Sequence, residues 1–175
     1  MTSRQQPGLH PLARGAYAWL APQGSWGWSN AGLIVDGEES LLIDTLYDLQ
    51  LTAQMLRKMR AAEPVANTIG TLVNTHANGD HCHGNELIAG AQIIASTASA
   101  MEMGELPPEV MAAIMHSTSE MGPVGEYLLH CFGPFRFDGI QFTPPTRTFD
   151  SSLDLRVGDK LVHLIEVGPA HTRGD

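Results

Sequence analysis

Residues 72–85 constrain this chain more than any other stretch, because an apolar, strand-forming run passes there into a turn-rich loop that concentrates metal-binding atoms. Between residues 76 and 83 the loop carries the imidazoles of His76, His81 and His83, the carboxylate of Asp80, the carboxamide of Asn78 and the thiol of Cys82. Alternate residues of an extended chain point to one side, so His76 and Asn78 share a face. A turn at Asp80 and His81 can bring both back toward that face. Imidazole nitrogen with carboxylate oxygen suits zinc, and manganese or iron accept the same ligand types. Two readings of Cys82 stay open: a small buried residue between two ligands, or a thiolate donor.

The flanking pattern predicts what holds this loop. Apolar runs at 31–35 and 40–44 flank Asp36-Gly37-Glu38-Glu39, a hairpin signal built on Asp-Gly. The second run ends in Asp44-Thr45, and helical spacing of Leu46, Leu49, Ala53, Leu56 and Met59 predicts a helix over residues 46–62. Thr45 is the expected cap, with Asp48 in the first turn and Asp44 assisting the dipole. A strand at 68–74 then delivers the loop, a short helix runs from 84 to 89, and a strand follows at 92–95. Strand, helix, strand, loop, strand implies helices packed on a sheet.

Elsewhere the punctuation is heavier. Pro7, Gly8, Pro11 and Gly15 make residues 1–15 read as an irregular arm, followed by a short strand at 16–20. Trp26 and Trp28 lie on a Gly-containing loop at 23–30, where indoles either plug the edge of the core or wall a pocket, the reading favoured here. Helices are expected at 97–104 and 108–121, within a helical insertion spanning 97–130. Five of the eight methionines fall between residues 101 and 121, as core packing or as an adaptable pocket wall. Residues 133–147 read as a connector, and 148–157 with 160–167 as a second hairpin around Gly158-Asp159. His163 sits in strand register there, and neither His116 nor His130 has ligand spacing with a partner.

Composition sets the bounds. At 175 residues, with 43% apolar and 17% charged side chains, the chain is long enough for one globular domain. A formal net charge of −9 argues against nucleic acid and anionic membrane surfaces as partners. No apolar run is long enough to cross a bilayer, and the N-terminus lacks a secretory signal, so the expected compartment is the cytoplasm, with Cys82 and Cys131 as free thiols. No Lys or Arg falls between Ala61 and Phe135, whereas Glu63, Asp80, Glu86, Glu102, Glu105, Glu109, Glu120 and Glu126 do. That segment reads either as a field that favours a divalent cation and disfavours a strongly anionic substrate, or as an ordinary solvated acidic surface.

At these residues the chain resembles the metallo-β-lactamase-fold superfamily, whose signature is His-x-His-x-Asp-His after a buried strand. The pattern here is His76-x-Asn78-x-Asp80-His81, with Asn in place of the second His. A second motif lies about 90 residues on, where Ala170-His171-Thr172-Arg173-Gly174-Asp175 resembles the family's Gly-His-Thr-x-Gly-Asp loop with Ala for the leading Gly. The resemblance spans residues 16–175 and implies an α/β (α+β) domain, an αββα sandwich incomplete at its C-terminal end. The further strands, bridging carboxylate and last His of the family would lie beyond Asp175, so a truncated form or the N-terminal part of a longer protein is expected. Sheet surfaces left exposed in that way would invite a homo-oligomer.

The resemblance further implies a metal-dependent hydrolase holding one or two zinc ions. His76, Asn78 and His171 would face one metal and Asp80 with His81 the other, and Asp80 would be the catalytic carboxylate. Asp44 would brace the loop, and His83 or Cys82 could substitute for the weak amide ligand. A bound ion lowers the pKa of water from about 15.7 to near 7, generating hydroxide. The small-molecule substrate implied is a neutral ester, thioester, lactone or amide. Two alternatives stand beside it: a cyclase or lyase of the same fold gripping an aromatic or polyketide-like ligand against Trp26, Trp28 and the methionines, and a non-catalytic metal-binding fragment.

Overall fold

The computed structural model describes residues 6–22, 26–88 and 90–175. In chain order its elements are β1 (Gly8–Ala13), β2 (Ala16–Leu20), β3 (Ala31–Asp36), β4 (Glu39–Ile43), α1 (Leu49–Ala62), β5 (Thr71–Val73), α2 (Gly79–Cys82), β6 (Gln92–Ser96), α3 (Thr97–Met103), α4 (Pro108–His116), α5 (Gly122–Phe132), β7 (Arg147–Phe149), β8 (Ser152–Val157) and β9 (Lys160–Ile165). Strands β1 to β7 lie in sequence order in one mixed sheet, antiparallel as far as β4 and parallel from β4 to β7, and β8 pairs with β9 in a second sheet.

Alternation along the central strands gives the large sheet two apolar faces. Leu33, Val35, Leu42 and Leu72 point toward Met55, Leu56 and Met59 of α1. Leu41, Val73 and Ile94 point the other way, onto Val157, Leu155 and Leu164 of the β8–β9 hairpin. Each such side chain taken from water contributes about 1.5–3 kcal/mol, so both layers are held to the sheet by burial. Helix, mixed sheet and second sheet are stacked layers of the expected mixed α/β sandwich.

Five readings need correction, the first being the helix expected at 108–121, which ends at His116 and is followed by a 3-10 turn at Thr118–Glu120 and by α5. Residues 8–13 are not an irregular arm but the edge strand of the large sheet, with a register shift between Pro11 and Ala13. A proline is tolerated there because an edge strand has a side without ladder bonds and a bulge absorbs the missing N–H. The helix starts at Leu49, not at 46, because the Asp48 carboxylate accepts the Leu51 amide at 2.7 Å. Thr45 is thus not its cap. Thr148 belongs to the large sheet through β7, and Ser151, at φ 65°, turns the chain toward β8. The strand before the loop is only Thr71–Val73, since residues 64–67 form a 3-10 turn. The Asp36-Gly37 hairpin, the strand at 16–20 and the strand at 92–96 form where the pattern placed them.

Parallel β4, β5 and β6 release their chains at one edge of the sheet. Asp44 follows β4, the His-rich loop follows β5 and α3 follows β6. The carboxyl ends of parallel strands are where such sheets gather ligand-binding loops. Among the described residues no helix is long and apolar enough to cross a membrane.

Candidate metal centre

The loop is braced from below by a buried carboxylate. Asp44 is 3% exposed and adopts φ 62°, an unusual conformation that lifts its side chain toward the neighbouring strand. Its Oδ1 accepts the Thr75 amide at 2.7 Å, and Oδ2 accepts the Thr75 hydroxyl at 2.7 Å and Nδ1 of His81 at 2.8 Å. The last bond fixes the ring of His81 and leaves Nε2 directed outward, the orientation a carboxylate imposes on a metal-ligating imidazole. Burial pulls His81 toward the neutral form, but the bond to Asp44 and the charges of Asp44 and Asp80 outweigh it and raise the pKa.

The predicted donors gather above Asp44. The ring of His76 lies 4.1 Å from that of His81 and 5.2 Å from that of His171, centroid to centroid. Asp80 Oδ2 is 3.5 Å from His81 Nε2. Burial and the neighbouring His81 hold His76 below the ordinary imidazole pKa, with Asp44, Asp80 and Asp175 opposing. Asn78 Nδ2 lies 2.9 Å from Nε2 of His171. An amide N–H only donates, so in this pose it caps the lone pair that His171 would offer a metal.

His171 is set by a loop that the sheet edge holds firmly. The Gly174 carbonyl accepts the hydroxyls of Ser96 and Ser99 at 2.5 and 2.8 Å, and a Cβ on Gly174 would come within 2.4 Å of Ser99 N. Only glycine allows that approach. Asp175 turns inward on its own motif, accepting the Thr172 amide at 2.6 Å, and Val167 and Gly168 donate to its carbonyl. Arg173 pairs with Glu105 through both terminal nitrogens, at 2.6 and 3.0 Å.

Two proposed substitute ligands are placed elsewhere. Cys82 turns its thiol to the carbonyls of Ala77 and Asn78 inside a small cluster with Ala95 and Met103, and burial pushes it up to about 12. His83 is buried against Tyr47 and Phe137, with burial holding it down to about 4, so its ring serves the wall of the site rather than the cluster. Trp26 and Trp28 also separate. Trp26 lines the cavity over the cluster, about 390 Å³, with Tyr47, Met103, Met111 and Phe132. Trp28 lies on the far side of Gly27, its ring tilted against that of Phe135 with centroids 5.1 Å apart. The remainder of their loop, residues 23–25, falls outside the described residues. Met101 is exposed, so the methionine wall is made by residues 103 and 111. His163 faces outward beside Asp154, and His116 pairs with Asp138 at 2.9 Å on the surface.

Sequence reasoning missed the frame that carries the loop. Asn74 and Asn85 are a buried amide pair: Asn85 Nδ2 donates to Asn74 Oδ1 at 2.9 Å, and Asn74 Nδ2 donates to Asn85 Oδ1 at 3.2 Å and to the His81 carbonyl at 2.8 Å. Thr45 completes it, donating to Asn85 Oδ1 at 3.0 Å and accepting the Gly84 amide at 3.1 Å. The available signal was an Asn at each end of the loop, where an apolar strand and a Gly-Asn turn left no water to satisfy it.

Three imidazoles and a carboxylate fit a divalent ion by donor type. Among the described residues, however, no three His, Cys, Asp or Glu side chains already form a group able to hold one, and the Asn78–His171 contact occupies one of the nitrogens they would need. The family model of the metallo-beta-lactamase superfamily matches residues 24–175. The chain belongs to that superfamily. It is a superfamily made mostly of hydrolases that generally binds metal ions, zinc often among them. No individual curated protein matches the chain.

Proposed function

We propose that this chain is a metal-dependent hydrolase acting on a neutral ester, thioester, lactone or amide. The observation that carries the reading is the convergence of His76, His81 and His171 beside Asp80, from two loops about 90 residues apart in sequence, over a carboxylate that fixes His81. In this reading His76, His171 and the oxygen of a rotated Asn78 hold one metal position, and Asp80 with His81 the other. A zinc ion there would polarise the substrate carbonyl and acidify water, and manganese or iron would meet the same ligands.

The chain's own groups supply the rest. Asp44 keeps the proton of His81 on Nδ1 and the free nitrogen outward. Asp80, beside His81 Nε2 and on the cavity wall, is placed to orient a water and accept its proton. The cavity is walled by Trp26, Tyr47, Leu106, Met111 and Phe132 and edged by Glu102 and Glu105, which suits an apolar substrate and repels anions. Those aromatic walls also support a second reading, a cyclase or lyase on an aromatic or polyketide-like ligand.

Elemental analysis of the purified protein, before and after dialysis against zinc, is the direct test. At least one ion per chain is expected, lost in His81→Ala and His171→Ala, together with turnover of one of the four neutral carbonyl classes. No retained divalent ion at micromolar concentration would defeat the proposal. Metal-dependent conversion of an aromatic ligand with no hydrolysis would transfer it to the second reading.

A further inference from the structure

A second cavity, larger than the one over the histidines, lies away from them. A cleft of about 740 Å³ opens between the β1–β2 hairpin and α1, bounded by Leu9, Trp19, Trp28 and Leu51, with Gln54 and Lys58 on its helical side. Residues 51, 54, 58 and 62 recur at the three- and four-residue spacing that puts side chains on one helix face. At the end of that stripe Ala61 and Ala62 add little bulk, so the cleft stays deep. Its volume is in the range that takes a small organic ligand.

The two cavities meet at Gly27 and are divided by it. Gly27 has φ 77°, and a Cβ there would lie 2.6 Å from Tyr47 and 2.7 Å from Phe135, so the chain passes through a partition of aromatic rings. Trp26 falls on the histidine side and Trp28 on the other. Among the described residues bounding the cleft there is no histidine and no carboxylate, and Lys58 is the one ionisable side chain. Among the described residues no acid stands within ion-pair distance of Lys58. The charge of Lys58, exposed at the rim of the cleft, is therefore open to an anionic ligand.

We infer that this cleft is a second binding site, for an apolar carboxylate: an acyl or aryl body lies against Trp19, Trp28, Leu9 and Leu51, and its carboxylate reaches the Lys58 ammonium. Lys58 suits the role because its methylene stem can line the apolar wall while the charge stays at the wet rim. Ser29, next to Trp28, donates to the Asp80 carbonyl, so the cleft lies one hydrogen bond from the metal loop without sharing its donors.

Decanoate and decanol serve as probes, titrated by calorimetry with EDTA present. Saturable one-site binding of decanoate is expected, weakened about fivefold or more by Lys58→Glu and kept by Lys58→Arg, with decanol unchanged in both. Ala62→Trp, an exposed helix-end change that fills the cleft, is expected to abolish binding of both probes, and urea unfolding verifies that each variant is folded. No saturation by the native chain at a few millimolar, saturation only when EDTA is omitted, equal decanoate affinity in Lys58→Glu, or undiminished binding in folded Ala62→Trp would each overturn the inference.

Discussion

Replacing Asn85 with alanine tests whether the buried amide pair, rather than the histidine loop itself, sets the shape of the site. Asn85 is 1% exposed, and its side chain takes part in four hydrogen bonds. It accepts from Thr45 and Asn74 and donates to Asn74 Oδ1 and to the Thr143 carbonyl at 3.1 Å. At a net value of about 1 kcal/mol each, the bonds alone amount to about 4 kcal/mol. The partners do not all become orphans, because Asn74 Nδ2 retains the His81 carbonyl and Thr45 retains the Gly84 amide. Asn74 Oδ1 and the Thr143 carbonyl do lose their partner, each at a cost of about 1–3 kcal/mol. The expected destabilisation is therefore at least about 4 kcal/mol, a large share of the roughly 5–15 kcal/mol that holds a domain together.

Urea unfolding followed by tryptophan fluorescence and circular dichroism measures it, with Asn67→Ala as control. The Asn67 amide also donates to a carbonyl, that of Pro64, but at the surface, where water replaces it. Its loss should cost under about 1 kcal/mol. Asn85→Asp is the sharper variant: a buried carboxylate has no N–H for Asn74 or Thr143, so it should destabilise at least as much as alanine. Zinc affinity is expected to fall about tenfold or more, as it does when groups that orient ligands are removed. Loss of less than about 1 kcal/mol in Asn85→Ala, or no more than in Asn67→Ala, would refute the argument.

Asn78→His replaces a weak amide donor by imidazole and removes the N–H that caps His171, so calorimetry should show zinc binding about tenfold tighter or more; unchanged affinity would mean residue 78 does not face the metal. If affinity rises and activity does not, the chain is a metal-binding module rather than an enzyme. Cys82 and Cys131, both buried, with the Cys82 thiol pushed up to about 12, should resist a disulfide reagent at pH 8 until denaturant is added; labelling of the native protein within minutes would contradict their placement. Leu161 and Ile165 are 62% and 59% exposed on β9, a strand with one partner among the described residues. Self-association through this edge is expected in sedimentation, abolished by Leu161→Lys with Ile165→Lys, and a monomer at high concentration would count against it.

What the sequence made legible follows from how local the deciding interaction is. The histidines, Asp80 and the terminal motif were readable because donor atoms at close spacing have few other uses, and each motif follows a run that reads as a strand. Asp44 was readable only through the resemblance, since its role depends on Thr75 and His81, which lie 31 and 37 residues away. The same distance hid Asn74, Asn85 and Thr45: an amide becomes a brace only when a partner from another segment is buried with it. Cys82 took the buried of its two readings, and His83 misled, for the converse reason. They share the loop with the ligands, but the single turn of α2 carries Cys82 inward to Ala95 and Met103 and seats the ring of His83 against Gly79, under Tyr47. Spacing along a loop thus nominates donors, and the turn that follows selects among them. Asn78 passes that selection by position and fails it by chemistry, because its amide reaches His171 as a hydrogen-bond donor. Metal entry at the proposed centre would have to turn that amide or displace it, which makes residue 78 the position where a better donor should most raise affinity.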